Sequence, residues 1–206
     1  MHYGMLLDLS RCVACGGCVM ACKRVNGTLG DVYWCNVYTE EVGTYPHAYV
    51  RSVPMGCMHC EDAPCVEHCP TGASYRTEEG FVLVDQEKCI GCRACVSACP
   101  YNARHLNLYD PKENPYWGEG NQQMPFEAKT TAGHIKGTAE KCVFCHERVG
   151  RGEPPACVRT CVASARIFGD LDDPESEISK AIVDKKAEPL AAELGTKPSV
   201  YYVSQK

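Results

Sequence analysis

One stretch of this 206-residue chain is the most informative about its fold: Cys89-Ile-Gly-Cys92-Arg-Ala-Cys95-Val-Ser-Ala-Cys99-Pro100. Two, two and three residues separate its cysteines, so three thiols share one loop and the fourth lies one helical turn, about 6 Å, further on. Pro100 then ends the turn. Three related runs bring all but one of the 17 cysteines into groups of four: Cys12, Cys15, Cys18 and Cys22; Cys57, Cys60, Cys65 and Cys69; Cys142, Cys145, Cys157 and Cys161.

Three kinds of chemistry use grouped cysteines. Disulfides are disfavoured because cysteines three apart in a tight loop are poor partners, the total is odd, and no export signal is expected from Met1–Gly4. Structural zinc uses Cys-x-x-Cys pairs divided by a longer loop, which only the fourth run resembles. The x2, x2, x3 spacing followed by proline is the bacterial ferredoxin pattern, so the sequence predicts four [4Fe–4S] clusters.

The runs are also an internal repeat, since each contains Cys-Val-x-x-Cys. The second and third match further, with Cys65 and Cys95 at an offset of 30 residues. We therefore expect an α+β fold of two ferredoxin-like two-cluster modules with β-hairpin insertions and a C-terminal tail. The continuous module covers 50–107, and the discontinuous one joins 1–49 to 141–169. The remainder is an insertion loop, 108–140, and a C-terminal docking tail, 170–206.

Ligand exchange between paired runs is the rule in two-cluster ferredoxins, where each cluster takes three cysteines of one run and the last cysteine of the other. The alternative is that each run holds its own cluster. Exchange predicts four ligand sets, which we name sites 1 to 4: Cys12, Cys15, Cys18 and Cys161 (site 1); Cys142, Cys145, Cys157 and Cys22 (site 2); Cys57, Cys60, Cys65 and Cys99 (site 3); Cys89, Cys92, Cys95 and Cys69 (site 4).

Other residues near the cysteine runs are predicted to shape the surroundings of the clusters. Cys35 is expected to be a small buried apolar residue in a strand. His59, His68 and His146 are expected to shield clusters and donate hydrogen bonds to sulfur rather than to ligate iron. An oxidised cluster carries about −2 with its thiolates, so several nearby cations should face clusters and set potentials. The candidates are Lys23, Arg24, Arg93, Arg104, Lys141, Arg148, Arg159 and Arg166.

Alternating apolar residues predict strands at 3–8, 81–84 and 200–203 and a hairpin from 32–38 and 47–53. Residues 108–140 lack helical or strand periodicity, and Tyr116, Trp117 and Phe126 could either anchor a partner or pack on their own domain. Helical composition with breaks runs from Ser176 to Leu194. This tail is expected to pack over a module or dock on another subunit.

Composition and missing motifs argue against several classes of function. A formal net charge of −5 disfavours nucleic-acid binding, and the absence of 18 consecutive apolar residues predicts no direct membrane insertion. No phosphate loop, Gly-x-Gly-x-x-Gly or Gly-x-Ser-x-Gly motif is present, so no catalytic residue is predicted. Four clusters in so short a chain must lie close together, which indicates electron transfer between partners.

The whole chain resembles the four-cluster electron-transfer (beta) subunits of the dimethyl sulfoxide reductase family, and looks most like those of polysulfide, thiosulfate and arsenate reductases. The stretches that carry the resemblance are Cys12-Val-Ala-Cys15-Gly-Gly-Cys18-Val-Met-Ala-Cys22-Lys23, His59-Cys60-Glu-Asp-Ala-Pro64-Cys65, Cys69-Pro-Thr-Gly-Ala73, Cys89-Ile-Gly-Cys92-Arg-Ala-Cys95, Lys141-Cys142-Val-Phe-Cys145, Pro155-Ala-Cys157 and Gly169-Asp170-Leu-Asp-Asp-Pro174. Some relatives carry tryptophan and a three-iron cluster at the position of Cys92, so the cysteine here implies four four-iron clusters. The chain has Cys161-Val162 where Cys-Pro is common, which leaves the local turn open.

The resemblance implies a large molybdopterin catalytic subunit as partner, with a membrane quinol-oxidising subunit or a soluble electron donor. It implies either a periplasmic location by co-export or a cytoplasmic one, with membrane association only through a partner. The alternatives are a self-standing polyferredoxin, the electron-transfer subunit of a formate dehydrogenase or hydrogenase, and a zinc-bound scaffold. The sequence does not identify the terminal substrate.

Overall fold

The chain forms short helices and small sheets in a computed structural model that describes residues 1–108, 110 and 124–204. The helices of this part are α1 (Gly17–Asn26), α2 (Pro64–Glu67), α3 (Ala94–Ala98), α4 (Pro125–Thr131), α5 (His146–Gly150), α6 (Ala156–Arg159) and α7 (Glu177–Asp184). The strands are β1 (Tyr3–Asp8), β2 (Cys35–Val42), β3 (Tyr49–Gly56), β4 (Ser74–Arg76), β5 (Val82–Val84), β6 (His105–Leu106), β7 (Ala139–Glu140), β8 (Arg166–Asp170), β9 (Glu188–Pro189) and β10 (Val200–Val203). The mixed α and β character agrees with the sequence prediction.

The main sheet has the strand order β8-β1-β10-β9 and joins the two ends of the chain. Strand β1 runs parallel to β10 and antiparallel to β8, with Met5 opposite both Val200 and Phe168. Since β1 leads into Cys12 and Cys161 comes shortly before β8, this pairing brings the first and last cysteine runs together. The strands predicted at the N-terminus and at 200–203 are confirmed.

Three two-stranded sheets complete the fold. The predicted hairpin is confirmed as β2 and β3, but both strands begin and end later than predicted, and they pair from Cys35 opposite Gly56 to Val42 opposite Tyr49. Strands β4 and β5 connect the second run to the third. Strands β6 and β7 join the segment after the third run to the segment before the fourth. The small sheets therefore act as spacers between cysteine runs.

Helix α4 corrects the expectation that 108–140 lacks regular structure. Pro125 occupies the first turn, where its missing N–H costs nothing, and the Glu127 carboxylate accepts the N–H of Met124 at 2.9 Å. These local end signals form a helix of seven residues without clear periodicity. The half-exposed ring of Phe126 lies under the Arg24 guanidinium at 5.4 Å, whereas Tyr116 and Trp117 lie outside the described residues.

The C-terminal segment packs on the main sheet. Helix α7 begins at Ser176, whose side chain accepts the N–H of Ser179, and it buries Ile178 against Leu6 of β1. The helical composition predicted as far as Leu194 gives way after Asp184 to β9 and a 3₁₀ turn. Within the described residues, no helix has the length and apolar character needed to cross a bilayer.

Candidate metal centres

The backbone repeats the same left-handed turn in all four cysteine runs. In each run the residue before the second cysteine has a positive φ, a conformation that non-glycine residues adopt at a cost of about 1–2 kcal/mol. These residues are Ala14 (54°), His59 (46°), Gly91 (68°) and Phe144 (52°). The shared turn indicates that each loop curls its first cysteines around a common interior.

A second repeated turn follows the last cysteine of three runs. The third residue after Cys69, Cys99 and Cys161 has a positive φ, and its N–H donates to the carbonyl of that cysteine at 3.1–3.3 Å. The three residues are Gly72, Asn102 and Ser164. Val162 therefore replaces the common proline without changing the turn.

Site 3 is a deep cavity of about 330 Å³ between the second and third runs. Burial raises the pKa of Cys60 to about 12, and the nearby sulfurs of the same set add to this shift. Arg104 donates from Nη2 to Cys65 Sγ at 3.0 Å, and the His59 N–H donates to Cys57 Sγ at 3.4 Å. The cavity lining includes all four members of the predicted set, Cys57, Cys60, Cys65 and Cys99.

Site 1 is a cavity of about 370 Å³ at the edge of the main sheet. The Ala165 N–H donates to Cys161 Sγ at 3.2 Å. A hydrogen bond from the Cys35 thiol and the charge of Arg166 lower the pKa of Cys18 to about 5, although burial opposes its ionisation. The lining again includes the whole predicted set, Cys12, Cys15, Cys18 and Cys161.

Site 2 is a cavity of about 510 Å³ between helix α1 and the fourth run. Burial raises the pKa of Cys22, and the next causes are the neighbouring sulfurs of the fourth run. Burial likewise raises the pKa of Cys142 to about 12. The lining includes Cys22, Cys142, Cys145 and Cys157, so the helix α1 residue Cys22 faces the cysteines of a run more than 100 positions away in sequence.

None of the four members of site 4 lines any of these three cavities, so the structure does not gather this set as it gathers the other three. Cys69 Sγ accepts the Ser74 N–H at 3.3 Å, and Cys89 Sγ accepts the Ala139 N–H at 3.4 Å. Burial opposes ionisation of Cys69, but the Ser74 N–H and the Thr71 hydroxyl lower its pKa to about 7. Cys92 is exposed and Cys95 is buried in α3, which packs against α2.

Shared residues fix the order of the sites. Arg166 lines the cavities of both site 1 and site 2. Cys57 of site 3 also lines the site 2 cavity. Arg104 contacts Cys65 of site 3 and lies within hydrogen-bonding reach of Cys95 of site 4. The cavities of sites 1, 2 and 3 are therefore neighbours in that order, and Cys95 of the predicted site 4 set lies beside site 3.

The cations divide into buried and solvated groups. Of the eight candidates, Arg104, Lys141 and Arg166 are buried, whereas Arg93 and Arg159 are exposed. Three of the remaining candidates interact with groups other than cysteine sulfur. Lys23 donates to the carbonyls of Gly30 and Val32, Arg24 lies over Phe126, and Arg148 pairs with Glu153.

The rings of His59 and His68 bond to backbone groups rather than donating to sulfur as expected. The His59 ring is fully buried against Phe144 at 3.7 Å; it donates from Nε2 to the Cys142 carbonyl and accepts the Val82 N–H at Nδ1. Burial lowers the pKa of His59 well below its ordinary value, which keeps this tautomer neutral. His68 bonds to the Pro64 carbonyl. His59 thus shields the cavities but reaches sulfur only through its backbone.

Cys35 is buried at the start of β2, as expected, but it has polar neighbours that the sequence does not reveal. Arg166 donates to its Sγ at 3.5 Å, and its thiol bonds to Cys18. The separation of 131 residues between Cys35 and Arg166 explains why sequence spacing could not detect this pair.

The chemistry of these donors suits a cluster. Among the described residues, no three His, Cys, Asp or Glu side chains converge closely enough to hold a single metal ion. Instead, each of three cavities is lined by the four cysteines of one predicted set, and N–H groups and buried cations contact these cysteines. Thiolate sets of this kind bind [4Fe–4S] clusters, whose iron corners stand apart and whose negative charge needs compensation.

Comparison with known proteins identifies the family. Residues 48–112 and 106–171 match the 4Fe-4S dicluster domain, and residues 9–34 match the 4Fe-4S binding domain. The arsenate respiratory reductase iron–sulfur subunit of a Shewanella species is 37% identical over 98% of this chain and 96% of its own length. The chain belongs to the iron–sulfur subunits of the dimethyl sulfoxide reductase family.

Further relatives among these iron–sulfur subunits differ in the reductase to which they belong. The B subunit of selenate reductase from Mesobacillus selenatarsenatis is 39% identical over 97% of this chain and 71% of its own length. The B subunit of tetrathionate reductase from Salmonella typhimurium is 36% identical over 98% of this chain and 72% of its own length. The chain is a [4Fe–4S] electron-transfer subunit rather than a catalytic one.

Proposed function

We propose that this iron–sulfur subunit holds four [4Fe–4S] clusters in the exchanged ligand sets of sites 1 to 4 and relays electrons along them to or from a molybdopterin catalytic subunit. Two ferredoxin-like modules, 50–107 and 1–49 with 141–169, would each hold two of the clusters. The clusters supply one-electron redox chemistry, and the chain supplies ligation, spacing and shielding from water.

The single observation that carries the proposal is the continuous order of the sites. Electron tunnelling decays exponentially with distance, so a relay requires carriers that lie next to one another. Arg166, Cys57 and Arg104 each contact or line two consecutive sites. A row without a gap favours a relay over a set of independent structural centres.

Exposed residues at the two ends of the row of sites support the entry and exit of electrons there. The residue after the first cysteine is exposed at site 1 and site 4, where Val13 is 65% and Ile90 is 68% accessible. The equivalent residue at site 3, Met58, is 1% accessible. The second cysteines, Cys15 and Cys92, are exposed only at the same two end sites. Partners that contact these loops would come close to the terminal carriers.

The names of the relatives support a catalytic partner, since each is named as one subunit of a reductase. We infer that the catalytic subunit contacts one end of the row and that a quinol-oxidising membrane subunit or a soluble donor contacts the other. The C-terminal segment, 170–206, and Phe126 in the insertion would add to these contacts. The direction of electron flow follows from the partner and its substrate.

Metal analysis of the anaerobically purified chain, together with the identity of any protein that co-purifies, tests this proposal. We expect about 16 iron atoms and about 16 sulfides per chain, and a large subunit that carries a molybdopterin cofactor. An iron content of about 12 atoms per chain would contradict four complete clusters. Elution of the iron-loaded chain alone would favour a self-standing polyferredoxin, and zinc in place of iron would refute electron transfer.

A further inference from the structure

Among the described residues, three lysine or arginine side chains are buried, and they are spaced along the row. Lys141 is 1% accessible, Arg104 is 2% and Arg166 is 9%. Burial of an unpaired cation is costly, so each must be compensated by nearby negative charge. None of the three has a carboxylate partner among the described ion pairs, and each contacts or lines residues of two neighbouring sites.

Arg104 lies between sites 3 and 4. Its Nη2 donates to Cys65 Sγ at 3.0 Å, and its Nη1 donates to Ser74 Oγ at 2.7 Å, which fixes the guanidinium plane. Cys95 of site 4 lies within hydrogen-bonding reach on the other side. Burial opposes its charge, but the sulfurs of Cys65, Cys57 and Cys95 raise the pKa of Arg104.

Arg166 takes the corresponding position between sites 1 and 2, where it lines both cavities. Its Nη2 donates to Cys35 Sγ at 3.5 Å, and its Nη1 contacts Met5 Sδ at 3.4 Å. Burial opposes its charge too, but the sulfurs of Cys157 in site 2, Cys35 and Cys18 in site 1 raise the pKa of Arg166.

The two arginines occupy equivalent positions of the internal repeat. Each is the fifth residue after the last cysteine of a run and follows the same turn, as Cys99-Pro-Tyr-Asn-Ala-Arg104 and Cys161-Val-Ala-Ser-Ala-Arg166. The repeat therefore places one arginine in each module, at the junction of that module's two sites.

Lys141 completes the pattern at the junction between modules. Its Nζ donates to the carbonyls of Val82 and Cys142, so the ammonium is held at one point. Val82 lines the cavity of site 3 and Cys142 that of site 2, so the ammonium lies between the two sites, where its charge opposes the effect of burial on the thiol pKa of Cys65 and Cys142. Each of the three junctions in the row thus has one buried cation.

We propose that Arg166, Lys141 and Arg104 are fixed junction charges, each of which raises the reduction potentials of the two clusters on either side of it. This inference rests on the proposed relay. Reduction adds one negative charge to a cluster that is already an anion, and a nearby cation in a medium of low dielectric constant favours that step. A charge at each junction also reduces the repulsion between neighbouring reduced clusters.

The test is a redox titration of the full-length, cluster-loaded chain, followed by electron paramagnetic resonance, in three charge-removing variants. We expect Arg166→Gln to lower the potentials of clusters 1 and 2, Lys141→Gln those of clusters 2 and 3, and Arg104→Gln those of clusters 3 and 4. Clusters 1 and 4 should each shift in one variant, and clusters 2 and 3 in two. Arg166→Lys and Arg104→Lys, which keep the charge, should restore most of each shift.

Arg159→Gln and Arg93→Gln are the matched controls, because each removes an exposed charge that lies between two ligand cysteines in sequence. Shifts no larger than in these controls, shifts confined to one cluster, or equal shifts in the lysine and glutamine variants would overturn the proposal. Failure of the lysine variants to load four clusters would also overturn it. Unshifted potentials in the glutamine variants, with four clusters in the wild-type chain, would refute the junction charges alone, whereas an iron-free wild-type chain would refute the relay.

Discussion

His134 is held between two acceptors, which fixes the protonation state that the fold prefers. Its Nδ1 lies 2.6 Å from Glu140 Oε1, and its Nε2 lies 2.7 Å from the carbonyl of Asn26. Both ring nitrogens can donate only when the imidazole is charged. Burial opposes that charge, but the hydrogen bond to Glu140 raises the pKa of His134 above its ordinary value.

The raised pKa gives a stability change with a definite sign. A group whose folded-state pKa exceeds its unfolded value stabilises the fold below the unfolded value, near 6.5, and loses this effect as pH rises through the folded pKa. We expect Glu140→Gln to cost about 2 kcal/mol at acidic pH, as for a buried hydrogen bond to a charged group, and less above the folded pKa. The denaturant midpoint of unfolding, followed by the fluorescence of Trp34, measures this loss of stability, since Trp34 Nε1 donates a hydrogen bond to the Glu140 carboxylate.

Glu40→Gln is the control for this pair. Glu40 pairs with Arg51 on the exposed face of the β2–β3 hairpin, where ion pairs contribute little. The denaturant midpoint of this variant should stay close to that of the wild type at every pH. An equal, pH-independent loss in both variants would contradict the charged state of His134.

At the scale of single residues, local spacing predicted the ligand cysteines but not their environment. The interval between thiols is fixed by the loop that wraps a cluster, so it can be recognised in one run. Cys35 has no such interval, and its partner Arg166 comes from a strand at the other end of the chain. The roles of Arg104 and Arg166 become visible only when the repeat and the burial are considered together.

Helix α1 is the element that joins two sites. It carries Cys18, which lines the cavity of site 1, and Cys22, which lines that of site 2. One turn of helix separates them, and α1 packs against α6, which carries Cys157. A single helix therefore holds neighbouring carriers at a fixed separation.

Cysteine variants paired across this helix test ligand exchange. If Cys22 belongs to site 2, Cys22→Ala combined with Cys142→Ala should disturb one cluster, because both substitutions remove ligands of the same site. Cys22→Ala combined with Cys12→Ala should disturb two. Iron content and the resonance spectra of each reduced chain distinguish the two outcomes. Cys35→Ala, which removes a buried cysteine outside the four sets, should leave all four clusters in place.

The opposite result would show that each run keeps its own cluster. In that case the pair Cys22 and Cys12 would cost one cluster, and the pair Cys22 and Cys142 would cost two. This design does not depend on assigning any single spectrum to a site.

Elements were predictable where one physical signal dominates. Strands β1 and β10 have strong apolar patterns and appear as predicted. Helix α4 was missed because its ends, Pro125 and the capping Glu127, define it better than its periodicity does. The parallel pairing of β1 with β10 could not be predicted from the sequence, since it joins residues almost 200 positions apart.

Over the whole molecule, the cysteines replace part of the hydrophobic core. Cys60, Cys65 and Cys95 belong to the main cluster of buried residues, together with side chains such as Met5 and Phe81. Residues of this cluster line the cavities of sites 2 and 3, so ligand cysteines take positions there that apolar side chains would otherwise fill. The stability of the fold should therefore depend on what occupies the sites.

Removal of iron should unfold the chain. Without clusters, Arg104, Lys141 and Arg166 would lose the negative charge that compensates them, and burial of an unpaired charge destabilises a fold by about 3–5 kcal/mol. That loss, added to the loss of the ligand bonds, is comparable to the whole stability of a small protein. We expect a strong chelator under reducing anaerobic conditions to abolish near-ultraviolet circular dichroism and protease resistance, and reconstitution with iron and sulfide to restore both. An iron-free chain that keeps both properties and unfolds cooperatively would show that the apolar core suffices alone.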